Sequence, residues 1–426
     1  MTRFILRTTF LASFVLSAPL AVVSAQDSPN TFTAGLGAIV LLTRSTVTPQ
    51  GGPLAVGYLT QPLVSADWRK SWLHAAGMLN LEGVTLPKGE LDLGAWGEGY
   101  VDRRHPHAYV HELMLGAEPR SGSITTSLYA GRGFVPFGSD DPMTRPFVSY
   151  PVDHHLAQIL ERLVLIAAVR NGPLIVEGAT FDGDEPIDPS TPPLYRRFGD
   201  SWSVRGTLLG DPLSSLLGAE LSASYANVKS PEYREGQGMD QRKVHVSVRV
   251  AGENAGYARY ALIEIARTTD VERGRALYTF DAFLTEAAVC RDDLGLAVRG
   301  ERSYRPEEER LNDLSRSPRP ATDLSILGIT QWTTLTAALS LPALRAFAAH
   351  AAPYVEVARI SADRTTAALF DPRQFYGTNQ MWRLSAGLRF GVGHAHGRTG
   401  RYGVASEPAA VSAHDHHASS THHCFS

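Results

Sequence analysis

Alternation of apolar and polar residues, sustained over stretches longer than ordinary strands, restricts this chain more than any other feature. Val244, Val246, Val248 and Val250 share one face, and Lys243, His245, Ser247 and Arg249 share the other. Leu217, Ala219, Leu221, Ala223 and Tyr225 oppose Glu220, Ser222 and Ser224. Trp382, Leu384, Ala386, Leu388 and Phe390 oppose Arg383, Ser385 and Arg389, and Leu91–Val101 alternates in the same way. A period of two is the period of a β-strand, whose successive side chains point to opposite faces. A soluble β-sandwich also alternates, but its strands average about five or six residues. These segments reach roughly ten or more, the length of a strand that crosses a bilayer with lipid on one face and a polar lumen on the other.

Turn signals separate the segments and alternate in length. Short ones sit at Gly83–Gly89, Pro119–Gly122, Asn171–Pro173, Gly210–Ser214, Gly252–Gly256, Arg291–Asp293 and Leu341–Pro342. Longer links sit at Arg132–Leu156, Gly183–Gly199, Lys229–Gln241, Thr268–Gly274, Arg302–Thr322 and Ser361–Asn379. Outer-membrane barrels are wired this way, with short periplasmic turns and long outer loops. Counting gives about 15 strands from Trp72 to Val392, and Thr31–Leu42 brings the number to about 16, an even count that returns both ends to the periplasm. Tyr58–Asp67 is either loop or an extra strand. The expected fold is an all-β, transmembrane, antiparallel up-and-down barrel. No sequence motif repeats with the hairpins, which excludes a solenoid or propeller.

The first 25 residues have another purpose. Arg3 and Arg7 precede an apolar run from Phe10 to Val23, and Val23-Ser24-Ala25 forms a small-x-small site before Gln26. This is the pattern of a secretory signal peptide cleaved after Ala25. The expected plan is therefore a signal at 1–25, a barrel at 26–393 and a tail at 394–426. Export would place the barrel in the outer membrane, in contact with its lipid and delivered by the barrel-assembly machinery. A formal net charge of −3 gives no electrostatic reason to expect nucleic acid. Two cysteines cannot staple a chain of this length, although Cys290 and Cys424 both fall on the periplasmic side and could meet.

Parity sorts the charges that would face the lumen. Arg205, Lys243, His245, Arg249, Arg299, Arg383 and Arg389 are positive candidates, and Asp92, Glu98, Glu177, Glu220, Glu264 and Glu301 are negative ones. The two sets nearly balance, so no ion preference follows. Gly131–Leu156 is the most distinctive stretch, with four prolines and several charges. Folded into the barrel it would set Asp140, Asp141, Arg145, Asp153, His154 and His155 at a constriction. As a rim loop, it would use Asp140 and Asp141 to form turns.

Gly131-Arg132-Gly133-Phe134-Val135-Pro136-Phe137-Gly138 resembles a stretch of the phosphate-selective-porin-like outer-membrane proteins. The resemblance covers these eight residues and the general organisation. It implies a barrel of 16 strands, often a homotrimer, with inward loops. The basic ladder of that family's best-known members is missing here, so phosphate selectivity is not implied.

Histidines crowd the end of the chain. His414, His416, His417, His422 and His423 lie with Cys424 in an Ala/Ser-rich tail that is expected to be disordered and periplasmic. Imidazole and thiolate suit Zn²⁺ or Cu²⁺, so the tail either captures metal or is simply biased in composition. His107, His111 and Glu112 fall short of a helical zinc motif, because residue 115 is leucine. On a strand His107 and His111 share a face with Tyr109, which predicts an interfacial belt. No nucleophile elbow, phosphate loop or dinucleotide fingerprint is present in the sequence. The chain is read as non-enzymatic: a porin-like channel for small hydrophilic solutes, with a metal-handling protein or a closed structural barrel as alternatives.

Overall fold

The computed structural model describes residues 30–47, 52–86, 107–121, 124–151, 154–186, 189–210, 218–254, 257–308, 326–365, 371–393 and 398–406. Among them no helix is long and apolar enough to cross a membrane. Sixteen long strands carry the fold. They are β1 (Thr31–Ser45), β2 (Leu54–Lys70), β3 (Leu73–Asn80) and β4 (Val110–Ala117). Next come β5 (Ile124–Gly133), β6 (Arg162–Asn171), β7 (Leu174–Phe181), β8 (Ser201–Gly210) and β9 (Gly218–Val228). The longer strands follow: β10 (Asp240–Asn254), β11 (Tyr257–Glu272), β12 (Arg275–Arg291) and β13 (Leu294–Glu308). The last three are β14 (Ile326–Ser340), β15 (Ala349–Arg364) and β16 (Gln380–Gly393). Two short strands, Arg120–Ser121 and Leu344–Ala346, extend hairpins.

Each long strand pairs antiparallel with its sequence neighbour, and β16 returns to β1 from Gly35↔Gly393 to Ser45↔Arg383. Closure leaves no edge, which is what lets a sheet sit in hydrocarbon with every backbone group satisfied. The side chains divide by parity. Val244, Val246 and Val248 face outward and are exposed, while Lys243, His245 and Ser247 of the same strand are buried inside. Leu36, Leu113, Leu165, Val204, Leu221, Ile263, Val298, Leu335 and Leu384 continue the apolar exterior around the barrel. Trp68, Trp202 and Trp382 face outward on β2, β8 and β16, the amphipathic type found at bilayer interfaces.

The strand inventory differs from the sequence expectation in three places. Leu54–Lys70 is a full strand of 17 residues, so Tyr58–Asp67 is the extra strand of the two readings and extends at both ends. It escapes alternation because a bulge at Gly37/Ile39 of β1 breaks the pairing, and Gln61 and Pro62 interrupt the pattern. Thr268–Gly274 is not a long link, because β11 and β12 join through Arg273 and Gly274, both at positive φ, as a tight hairpin requires. The Leu91–Val101 alternation lies outside the described residues. Among the described residues, 14 long strands follow Trp72.

Candidate lumen site

The connection from β5 to β6 runs into the barrel, not over its rim. Phe134–Asp141 is buried throughout. Two glycines of the eight-residue motif make the turn sterically feasible. A Cβ at Gly131 (φ +151°) would lie 2.0 Å from the Leu113 carbonyl oxygen. At Gly138 (φ +77°) it would lie 1.8 Å from that of Ala157. Only glycine fits such close backbone contacts.

The loop then crosses to the opposite wall by a series of polar contacts. The Gly138 N–H donates to Ser224 Oγ on β9 (3.1 Å), and Ser139 Oγ donates to Glu264 on β11 (2.6 Å). Arg145 pairs with Glu264 at 3.1 Å and approaches Glu286 on β12 at 3.6 Å. The Val148 N–H donates to Glu356 on β15 (3.1 Å), and Ser149 Oγ donates to the same carboxylate. Arg299 joins Glu286 at 2.7 Å and donates to the Ser149 carbonyl at 2.7 Å. Its guanidinium also lies 4.1 Å from the centre of the Phe147 ring. These charges sit in a low-dielectric interior and are closely paired, which offsets the loss of water around them. Burial alone would lower the Arg145 guanidinium, but Glu264 and Glu286 beside it raise its affinity for the proton.

Asp140 anchors a second group. It meets Arg249 of β10 at 3.0 Å, Arg398 at 2.8 Å and Arg401 at 3.3 Å. Burial would raise its carboxyl, yet Arg398, Arg249 and Arg401 hold it well below the usual carboxylate range. Arg398 also binds Glu220 of β9 at 2.7 Å. Arg398–Ser406 follows the last strand and enters the lumen, with Thr399–Ala405 buried. The Tyr402 hydroxyl donates to Glu112 (2.7 Å) and accepts from the Phe134 N–H (3.0 Å). Val404 and Ala405 pack against Ala168, Ile175 and Leu209. The expectation of a disordered periplasmic tail over residues 394–426 is corrected here, because these nine of them are folded into the lumen. Arg398, Arg401 and Tyr402 are functional candidates that sequence reasoning missed. The signal was present as an aromatic–aliphatic core, Tyr402 to Ala405, inside an otherwise polar stretch.

The remaining expected residues fall as follows. Arg205 faces inward and binds Glu177 through two bonds of 2.5 and 2.7 Å. Lys243 is buried on the inner face of β10, 3.5 Å from the Gln241 side-chain oxygen. Arg383 faces Glu356 at 3.5 Å, and Arg389 lies over the Tyr354 ring at 5.5 Å. Asp141 lies in the inward loop and also caps a turn, accepting from the Met143 N–H at 2.7 Å. His154 and His155 open a short helix, His154–Ala157, whereas Asp153 lies outside the described residues. His414, His416, His417, His422, His423 and Cys424 lie outside them too. Cys290 is buried at the end of β12, and no described cysteine is a free thiol.

His107 and His111 contradict the interfacial-belt expectation: both are buried inside the barrel against Glu161. Parity fails there because of a bulge. Met78 of β3 pairs with Glu112 and Leu79 with Val110, so His111 is the extra residue on β4 and turns inward beside Glu112.

No family model matches the sequence, and no curated protein does. Solved structures are similar at the level of the barrel. An anion-selective porin from Comamonas acidovorans shares 9% identity over 86% of this chain and 100% of its own, with a TM-score of 0.48. The outer membrane protein OmpT of Vibrio cholerae, in a trimer form, shares 9% over 85% and 100%, at 0.47. Pseudomonas aeruginosa OccK2 (OpdF), in complex with glucuronate, shares 10% over 85% and 98%, at 0.42.

Proposed function

We propose that the protein is a porin-like outer-membrane channel through which small hydrophilic solutes diffuse. One observation carries the reading: 16 strands close around a lumen whose inner face bears paired charges, and an inward loop divides it. A barrel of this strand number is wide enough for an aqueous path beside such a loop. The proposal includes export by a signal cleaved after Ala25, insertion by the barrel-assembly machinery and assembly as a homotrimer. Planar-bilayer recordings of the purified mature chain test it, and ohmic single-channel steps are expected. Folded, heat-modifiable protein that gives no steps would contradict it.

A second reading is a barrel closed by its own C-terminal segment. The burial of Arg398–Ser406 in the lumen favours it. Conductance that appears only in an Arg398→Ser/Tyr402→Ala variant would select this reading. Capture of Cu²⁺ or Zn²⁺ by the His-rich tail is a further proposal, motivated by its composition. Unchanged metal content and metal-dependent growth after removal of residues 414–426 would eliminate it.

A further inference from the structure

We propose that His107, His111 and Glu161 form a binding site for a divalent transition cation, Zn²⁺ foremost, inside the barrel and separate from the tail. Three elements bring these residues together. His107 lies just before β4, His111 is the bulged residue of that strand, and Glu161 closes the inward loop just before β6. One ligand atom from each lies within 4.8 Å of the other two. His107 Nδ1 is 3.2 Å and His111 Nδ1 is 2.5 Å from Glu161 Oε1. Ligands around tetrahedral zinc stand roughly 3.4 Å apart, given metal–ligand bonds of about 2.0–2.2 Å. Widening the second distance by about an ångström therefore completes the set. Two imidazoles and one carboxylate form a donor set that zinc accepts with a further position open.

The surroundings suit a metal more specifically than a hydrogen-bonded cluster would require. A ligating imidazole normally presents its other nitrogen to a carboxylate. His111 Nε2 faces Asp141 Oδ2 at 3.7 Å, and neither atom has a hydrogen-bond partner among the described residues, although both residues are almost fully buried. The Ala108 N–H holds the second Glu161 oxygen at 2.8 Å, which aims the first at the histidines. Phe134 packs edge-on against the His111 ring, with centroids 5.0 Å apart. Glu161 adopts a left-handed backbone (φ +58°), an uncommon conformation for a non-glycine residue. Glu161 and Asp141 supply two negative charges, which a divalent cation balances. A bound ion would tie the C-terminal end of the inward loop, at Glu161, to β4.

The test uses the full chain with His414, His416, His417, His422 and His423 replaced by asparagine, so that tail binding does not contribute. After loading and dialysis, this protein is expected to retain about one equivalent of Zn²⁺ and to develop visible d–d absorption with Co²⁺. Zn²⁺ should also raise the midpoint of its heat-modifiability transition, since ligand binding to the folded state stabilises it. His107→Asn should lose all three responses, while His74→Asn, altered elsewhere in the lumen, should keep them. Glu161→Gln is a second variant, with folding checked by heat modifiability. Less than a tenth of an equivalent in the tail-substituted protein would overturn the proposal. Unaltered binding by folded His107→Asn would overturn it equally.

Discussion

The two halves of the barrel wall are built on different rules. The wall of β4–β9 uses short strands of 8 to 11 residues, and the wall of β10–β16 uses strands of 14 to 17. Their inner faces differ as well. On the first, Met114, Tyr129, Val164, Ile166, Ala179, Phe181, Ala226 and Val228 join Phe134, Val135, Phe137, Ile159, Leu160 and Tyr402 in one apolar cluster. The inward loop and the C-terminal segment seat on this wall and shield it from water. Its charged residues Glu112, Glu177, Arg205 and Glu220 pair with the loop, the segment or one another. On the second wall the inner face is more highly charged, with His245, Glu264, Glu286, Arg299, Glu301, Glu356 and Arg383 buried there beside two apolar clusters, one around Trp332, Ile360 and Met381 and one where Phe147 and Val148 of the inward loop meet Ala297, Ala338 and Tyr354. The hydroxyls of Ser303, Thr334 and Thr336 meet no hydrogen-bond partner among the described residues, and neither does that of Ser203 on β8. The contrast predicts a dry wall at β4–β9 and a wet one at β13–β16, along which any aqueous path would run.

The largest expected effect comes from the link between the walls. Arg145→Gln removes the cation from Glu264 and Glu286 and should cost about 3–5 kcal/mol, the penalty for stripping a buried pair. A lowered urea midpoint and a raised conductance, as the loop comes free, are the readouts. A matched pair addresses the contrast itself. Ile166→Ala on the dry wall should lose about 2–4 kcal/mol through lost burial and a cavity. Thr336→Ala on the wet wall should change stability by less than about 1 kcal/mol, since its hydroxyl has no hydrogen-bond partner among the described residues to lose. Equal losses in urea unfolding would erase the distinction.

Smaller effects are expected at the rim. Asp182, just beyond β7, is raised from 3.8 to about 6 by burial, against the opposing pull of Arg162 and the Leu163 and Leu194 N–H groups. The folded state therefore holds this proton more tightly than the unfolded chain. Its contribution to stability is complete below about pH 3.8 and is lost as pH rises through about 6. Asp182→Asn should flatten the fall in unfolding midpoint between those values. The smallest change is on the outer surface, where Arg267 pairs with Asp281 at 2.6 Å and both are largely exposed. Arg267→Ala should cost less than about 1 kcal/mol, and added salt should shrink it further.

The same division explains what the sequence disclosed. Strands of the wet wall, such as Lys243–Val250 and Trp382–Phe390, have lipid on one face and polar groups on the other, so their alternation is plain. Arg162–Asn171 and Leu174–Phe181 are largely apolar on both faces, Glu177 and Arg162 being the inward exceptions, because lipid covers one face and the inward loop the other. Such strands show no period, and hairpin chemistry at Gly172–Pro173 was their clearest mark. Inward charges such as Arg205, Arg249 and Arg299 could be named from parity alone. Arg398 and Tyr402 could not, since their partners are set by a segment returning into the barrel. His111 required the bulge on β4, which no local pattern announces.

The most direct test of the two-wall account is reagent access from the lumen. In a Cys290→Ser/Cys424→Ser background, Thr336→Cys and Ile166→Cys proteins would be recorded in planar bilayers while a charged, thiol-specific methanethiosulfonate is added. The account expects stepwise loss of current for Thr336→Cys and none for Ile166→Cys. Block at both positions, or a reactive Ile166→Cys beside an inert Thr336→Cys, would contradict it.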